Sequence, residues 1–247
     1  MLTKDFAICI RAVDYSETSQ VVTLFTRAAG KIAAIAKGSK RPKSAFDGPI
    51  EILAHGQIIF TPTTGEKLAT LTEFQQQPGP AGLGNNLFAL NCALFAAELI
   101  NLLTDDYDPH PQLFDDFLQF LQNTRHIKDK SDALRLLILF QLSLLKEVGV
   151  QPELNHCVNC KTRYERPATS GELYFSSSAN GLVCRDCEAN FPDRIKLSAD
   201  AANCLRNLKL IAGANEKTLN EIEAILVHYL TELLHKPPKM AKHIFKQ

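Results

Sequence analysis

Val21-Val22-Thr23-Leu24-Phe25-Thr26 is a run of β-branched and aromatic residues, and beyond Gly30 a second apolar stretch carries Ile32 and Ile35. Such side chains fit a pleated, half-buried surface, so both segments read as strands. Upstream, Phe6, Ile8 and Ile10 alternate with smaller or polar neighbours. Downstream, Gln57–Phe60 and Leu68–Thr72 flank Thr63-Thr64-Gly65-Glu66, where the glycine marks a hairpin. About five short strands with no long helical pattern predict a small closed barrel. An SH3-like barrel and an OB-fold are the candidates.

The periodicity changes after Gln77-Pro78-Gly79-Pro80-Ala81-Gly82, where proline and glycine break both repeats. Leu87, Leu90, Leu94, Ala97 and Ile100 then keep helical spacing, as do Leu113, Phe114, Phe117, Leu118 and Leu121. Asp132–Val148 is apolar on nearly every side, the mark of a central helix, and Gly149 supplies its stop. Helical spacing returns at Leu205, Leu208 and Ile211, and again at Leu219, Ile222, Leu226, Tyr229 and Leu233. The fold class expected is α+β. An N-terminal β-barrel at 1–80 precedes a helical domain at 81–150 and 196–247, interrupted by a cysteine-bearing insert at 151–195.

The 247 residues carry no net formal charge, yet the charges are unevenly placed. Arg27, Lys31, Lys37, Lys40, Arg41 and Lys43 form a run without a single acid, on a strand and the Gly38–Gly48 loop that follows it. A local cationic stripe on a neutral background attracts polyanions, of which nucleic acid is the commonest. Asp105, Asp106, Asp108, Asp115 and Asp116 make the middle of the chain acidic, so a polyanion is expected toward the two ends. A second basic patch, Lys236, Lys239, Lys242 and Lys246, closes the chain with no acid after Glu232. Only Phe25 and Phe46 are aromatic near the first run; Phe25 reads as core and Phe46 as the candidate for stacking on a base. Asp14, Ser16 and Thr18 read as a turn whose side chains bond backbone amides, not as catalytic groups.

Cys157-Val158-Asn159-Cys160 and Cys184-Arg185-Asp186-Cys187 form two C-x2-C pairs separated by 23 residues. Each pair turns two thiolates inward from one tight turn, and four sulfurs complete a tetrahedral zinc shell with no position left for a reactive water. One structural zinc per chain is the expectation. Glycine often follows the second cysteine of such a pair, whereas here Lys161 and Glu188 stand there. Gly171–Ser176 and Ala179–Val183 read as a strand and as a turn entering another strand. His156 is read as a surface residue rather than a fifth candidate ligand. Cys9, Cys92 and Cys204 lie in apolar surroundings and read as core.

Arg11–Gln20, Leu24-Phe25-Thr26, Gly30-Lys31 and Ala36-Lys37-Gly38-Ser39-Lys40-Arg41 closely resemble the N-terminal region of the RecO recombination-mediator family, and the order of parts resembles it over the full length. The resemblance implies an OB-fold that binds single- and double-stranded DNA and anneals complementary strands. It also implies help for RecA in replacing the single-strand-binding protein, with RecR and the acidic C-terminal tail of that protein as partners. Arg27, Lys31, Lys37, Lys40, Arg41 and Lys43 would bind DNA, and Lys236, Lys239 and Lys242 would take a partner tail or more DNA.

Other functions are weighed against this. The H-x-E…P-C-x-x-C pattern of zinc deaminases is missing, because His55 is followed by Gly56 and Gln57. No G-x-x-x-x-G-K-[ST] phosphate loop occurs. With neither motif present, the nonenzymatic mediator that the resemblance implies is the expectation, with an RNA-binding protein of translation or ribosome assembly as the alternative. Leu136–Phe140 is far too short an apolar run to cross a bilayer, and no signal-peptide pattern opens the sequence. Cysteines without a secretion signal point to a cytoplasmic protein, and the resemblance implies a bacterial, nucleoid-associated one.

Overall fold

The computed structural model describes residues 2–63, 67–77, 83, 86–164 and 172–245. The expected hairpin tip at Thr64-Gly65-Glu66, the Pro78–Gly82 boundary, Gly171 and Lys246 lie outside them. The chain divides into two compact units, Met1–His126 and Ile127–Gln247.

In the first unit, β1 (Thr3–Asp14), β2 (Gln20–Thr26), β3 (Gly30–Ala36), β4 (His55–Thr61) and β5 (Ala69–Gln77) close into a barrel of order β1-β2-β3-β5-β4. All its pairings are antiparallel except β3 with β5, which is parallel. This is the five-stranded OB-fold arrangement, so of the two barrels expected from the sequence the OB-fold is the one formed. The long strand β1 pairs with both β2 and β4, and a register shift between Cys9 and Arg11 bends it between them.

Ala7, Cys9, Val22, Leu24, Ile32, Ala34, Ile58, Phe60, Leu71 and Phe74 fill the barrel interior. The alternating Phe6, Ile8 and Ile10 therefore belong to the outer face, although Ile8 and Ile10 are buried. The outside of the barrel is apolar because helices cover it: the Phe114 ring packs against Phe6 at 6.1 Å and Phe25 at 5.9 Å between centroids. Those helices are α1 (Leu87–Leu103) and α2 (Pro111–Asn123). The change of periodicity near residue 80 thus marks a change of element type inside one compact unit. In α1 the burial follows the expected face only in part: Ala97 and Ile100 are buried, and Leu90 and Leu94 are half-buried. Leu87 is 65% exposed, while Phe88, Ala89, Cys92, Phe95, Ala96 and Leu99 are buried. The helix is apolar almost all round, so spacing alone does not identify the covered side.

The second unit holds α3 (Lys130–Glu147), a small sheet of β6 (Leu173–Ser176), β7 (Gly181–Cys184) and β8 (Ile195–Lys196), then α4 (Ala199–Arg206), α5 (Glu216–Leu234) and the short α6 (Lys242–Phe245). The expected strand and turn-plus-strand between the cysteine pairs appear as the β6–β7 hairpin. Helices α3 and α5 pack together, with Gln141 and Glu223 facing each other in full burial. Gly149 ends α3 with φ +78, as its place in the sequence predicts. The hairpin is sewn to the helices: the Phe175 ring meets Tyr229 edge-on at 5.8 Å, and the Tyr229 hydroxyl lies 2.6 Å from the Val150 carbonyl oxygen.

Candidate nucleic-acid interface and metal centre

The basic loop between β3 and β4 is anchored at several points, although its sequence reads as a free loop. Gln20, buried at the start of β2, accepts hydrogen bonds through Oε1 from the Ser39 hydroxyl at 3.0 Å and the Ile50 amide at 2.9 Å. The Gly38 amide donates to Ser19 Oγ at 3.2 Å, and the Lys40 amide donates to the Thr18 carbonyl at 3.1 Å. Ser16 Oγ accepts from the Ser19 amide at 3.2 Å, which bears out its reading as a turn former. The residues Ser16–Gln20 and Gly38–Lys40, distant in sequence, are therefore two sides of one clamp. Phe46 is a second anchor. It is buried among the barrel's core residues, so the stacking role expected of it does not hold. Gln76 Nε2 donates to its carbonyl at 2.6 Å. Phe25 is core, as read.

The six cations of this run separate into two groups. Lys31 does not face solvent: its ammonium donates to the carbonyls of Asn101 at 2.9 Å and Thr104 at 2.6 Å, and Asp106 lies 3.4 Å away. Its expected role in DNA binding is corrected on this ground, because a buried ammonium whose three donors face two carbonyls and the Asp106 carboxylate has none left for a phosphate. Arg27 forms a bidentate pair with Asp115 at 2.9 and 2.8 Å. That bond holds the Asp115 carboxyl below its usual range and raises the Arg27 guanidinium. The acidic middle segment thus neutralises two of the six cations, a pairing invisible to a count along the chain. Lys40 pairs with Asp14 at 2.8 Å but stays at the surface. Lys37, Arg41 and Lys43 are exposed, and among the described residues their side chains have no hydrogen-bond or ion-pair partner.

At the other end of the chain, α5 stops at Leu234 and His235 adopts a left-handed conformation. Lys236, Lys239 and Lys242 are exposed on the turn and short helix that follow, not on α5 itself. Pro237 and Pro238 cannot continue the helix.

Cys157, Cys160, Cys184 and Cys187 come together with all four sulfurs within 4.8 Å of one another. Four thiolates around a tetrahedral zinc ion would stand about 3.8 Å apart, and Cys160 Sγ and Cys184 Sγ are 3.8 Å apart. The group can hold a metal ion and is compatible with structural zinc. Lys161 takes the left-handed conformation, φ +62, that glycine often supplies after such a pair. Its amide closes the turn on the Cys157 carbonyl at 3.0 Å. Glu188 needs no such conformation because it lies in the 3-10 turn Arg185–Asn190. Burial raises the Cys157 thiol, but the amides of Cys184, Cys160 and Asn159 outweigh it and bring the pKa to about 6. Burial and the neighbouring sulfurs push Cys184 up to about 12. Four thiolates are not stable together without a cation between them, which is the chemistry a metal ion supplies. His156 stands outside this group, beside Glu153. Cys9, Cys92 and Cys204 are buried, as read.

Two family models cover most of the chain: "Recombination protein O N terminal" matches residues 1–77 and "Recombination protein O C terminal" matches residues 84–242. The chain belongs to the RecO family. "DNA repair protein RecO" of Bacillus subtilis (strain 168) is 34% identical over 239 residues, 94% of this chain and 89% of the relative. The protein of the same name from Bacillus pumilus (strain SAFR-032) is 32% identical with the same coverage. That of Rhodopirellula baltica (strain DSM 10527 / NCIMB 13988 / SH1) is 34% identical over 202 residues, 82% of this chain and 73% of the relative. The RecO match leaves the alternative of an RNA-binding protein of translation or ribosome assembly without support. Among the described residues of this RecO-family chain, no helix is long and apolar enough to cross a membrane.

Proposed function

We propose that this protein is a nonenzymatic DNA-binding recombination mediator. It binds single- and double-stranded DNA, anneals complementary strands and, with RecR, helps load RecA onto DNA coated by single-strand-binding protein. The observation that carries this reading is the anchored loop bearing Lys37, Arg41 and Lys43 on an OB barrel. Cations on a fixed loop neutralise phosphates without reading bases, which suits a protein that must act on any sequence. Annealing requires two polyanions to lie side by side with their repulsion screened, and no bond-making group is needed for that. Lys236, Lys239 and Lys242 supply a second cationic surface for an anionic partner, either DNA or the acidic tail of the single-strand-binding protein. The four cysteines hold one structural zinc, and the protein works in the bacterial cytoplasm at the nucleoid.

The test is annealing of complementary oligonucleotides coated with single-strand-binding protein, with and without this chain and with no nucleotide present. Acceleration by the chain is expected. A rate equal to the spontaneous one would overturn the reading.

A further inference from the structure

Tyr15 is 67% exposed at the start of the turn between β1 and β2, and the charged loop is fastened to that turn. The Tyr15 amide bonds the Ser19 carbonyl at 2.9 Å, which fixes its backbone. Its immediate neighbour Asp14 pairs with Lys40, and Gly38 and Lys40 bond Ser19 and Thr18. The backbone that carries this exposed aromatic residue is thus fixed by the same clamp that holds the loop bearing Lys37 and Arg41.

The strand register extends this surface. Val13 pairs with Val21, and Val21 pairs with Ile35. Their neighbours Val22, Ala34 and Ala36 point into the barrel core, and Ala12 packs against it. Val13, Val21 and Ile35 therefore form a cross-strand row on the outer face. They are not buried, and Val13 is 45% exposed. Arg11 pairs with Thr23 one step along the same face and is exposed. The apolar row has Arg11 on its own face, an exposed tyrosine two residues beyond Val13 in the chain, Lys37 two residues beyond Ile35, and Arg41 on the loop that follows. Together they offer the two chemistries a single strand requires, contact with flat apolar bases and with an anionic backbone. A duplex offers the second chemistry but keeps its bases stacked inside.

We propose that Tyr15, with the Val13–Val21–Ile35 row, is a base-stacking platform that gives this barrel its preference for single-stranded over double-stranded DNA. The inference rests on the DNA-binding reading above and adds a strand preference and a residue responsible for it. Oligo-dT, an abasic oligonucleotide of equal length and a duplex separate stacking from charge, because the abasic strand keeps the phosphates and lacks the bases. The native protein should bind oligo-dT more tightly than the abasic strand. Tyr15→Ala should weaken oligo-dT binding by roughly 5- to 150-fold, with abasic-strand and duplex affinities and the salt dependence unchanged. Tyr15→Phe should retain the native preference. The exposure of Tyr15 means both variants should melt as the native protein does, and the melts are run alongside. If Tyr15→Ala binds oligo-dT as tightly as the native protein, or loses affinity for all three nucleic acids equally, the platform is wrong. The outer strip would then be a protein-docking face or plain surface. If the native protein binds none of the three, the DNA-binding reading itself fails, a distinct result.

Discussion

The carbonyl oxygen of Asp108 lies 2.3 Å from where a β-carbon on Gly30 would stand. The segment that leaves α1 therefore lies directly on the β2–β3 turn, and the next residue, Lys31, sends its ammonium under the same segment to Thr104 and Asn101. Gly30 also holds φ +75, a conformation that side chains disfavour. Gly30-Lys31 is in this light a docking device: one residue makes room for a backbone and the other ties that backbone down.

Gly30→Ala should destabilise the first unit by at least about 2 kcal/mol, since a left-handed backbone and a main-chain clash add together. The measurement is thermal or urea denaturation. An unchanged midpoint would mean that the 104–108 segment does not rest on this turn.

Lys31→Ala and the combined Lys37→Ala, Arg41→Ala and Lys43→Ala change should have opposite signatures. Removing Lys31 leaves the buried Thr104 carbonyl and the part-buried Asn101 carbonyl without this donor and should cost about 2–3 kcal/mol of stability with little change in DNA affinity. The triple change should leave the melting temperature unaltered and lower the salt-dependence slope for single strands by about 2, at roughly 0.7 for each phosphate contact. Nucleic-acid titrations at several salt concentrations beside melting curves separate the two. A slope unchanged by the triple substitution would remove these side chains from the interface.

Purified, untreated protein should carry about one zinc per chain, and chelation should loosen the region from Cys157 to Cys187, because the four sulfurs are gathered there with little apolar core of their own. Elemental analysis gives the stoichiometry, and amide exchange with and without chelator locates the loosening. Less than half an equivalent of metal, or exchange indifferent to chelation, would count against a structural ion.

Burial pushes the Glu223 carboxyl up to about 7 from 4.5, against the lowering effect of the Gln141 amide that donates to its Oε1 at 2.9 Å. Glu223 Oε2 and Gln141 Oε1 have no partner among the described residues. A proton on the carboxyl removes a buried charge that has only this one hydrogen bond to offset it. Because the folded-state value lies above the unfolded one, the contribution is complete below about pH 4.5 and is lost as pH rises through about 7. Its full size is about 3 kcal/mol. Glu223→Gln, which is uncharged at every pH, should raise the unfolding midpoint at pH 8 and flatten its pH dependence. Parallel melting curves of both proteins from pH 5 to 8 would contradict a protonated Glu223.

The strands, the helices and the four metal-ligand candidates were legible in the sequence because each is a local signal. Alternation over a few residues, helical spacing over three turns, and two cysteines in one tight turn are all set by near neighbours along the chain. The partly wrong reading of α1 has the same origin, for a helix apolar on all sides carries no local record of which face is covered. The roles of Phe46 and Lys31 were not legible. Phe46 lies in a loop-like sequence and becomes a core residue only when the barrel closes around it.

The sequence alone thus determined the order of elements, the barrel class, the clustering of cysteines and the presence of a cationic run. Which cations remain available was decided only by tertiary structure. Electrostatic pairing depends on distance in space, and Arg27 meets Asp115 across 88 positions of chain while Lys37, Arg41 and Lys43 meet no acid among the described residues.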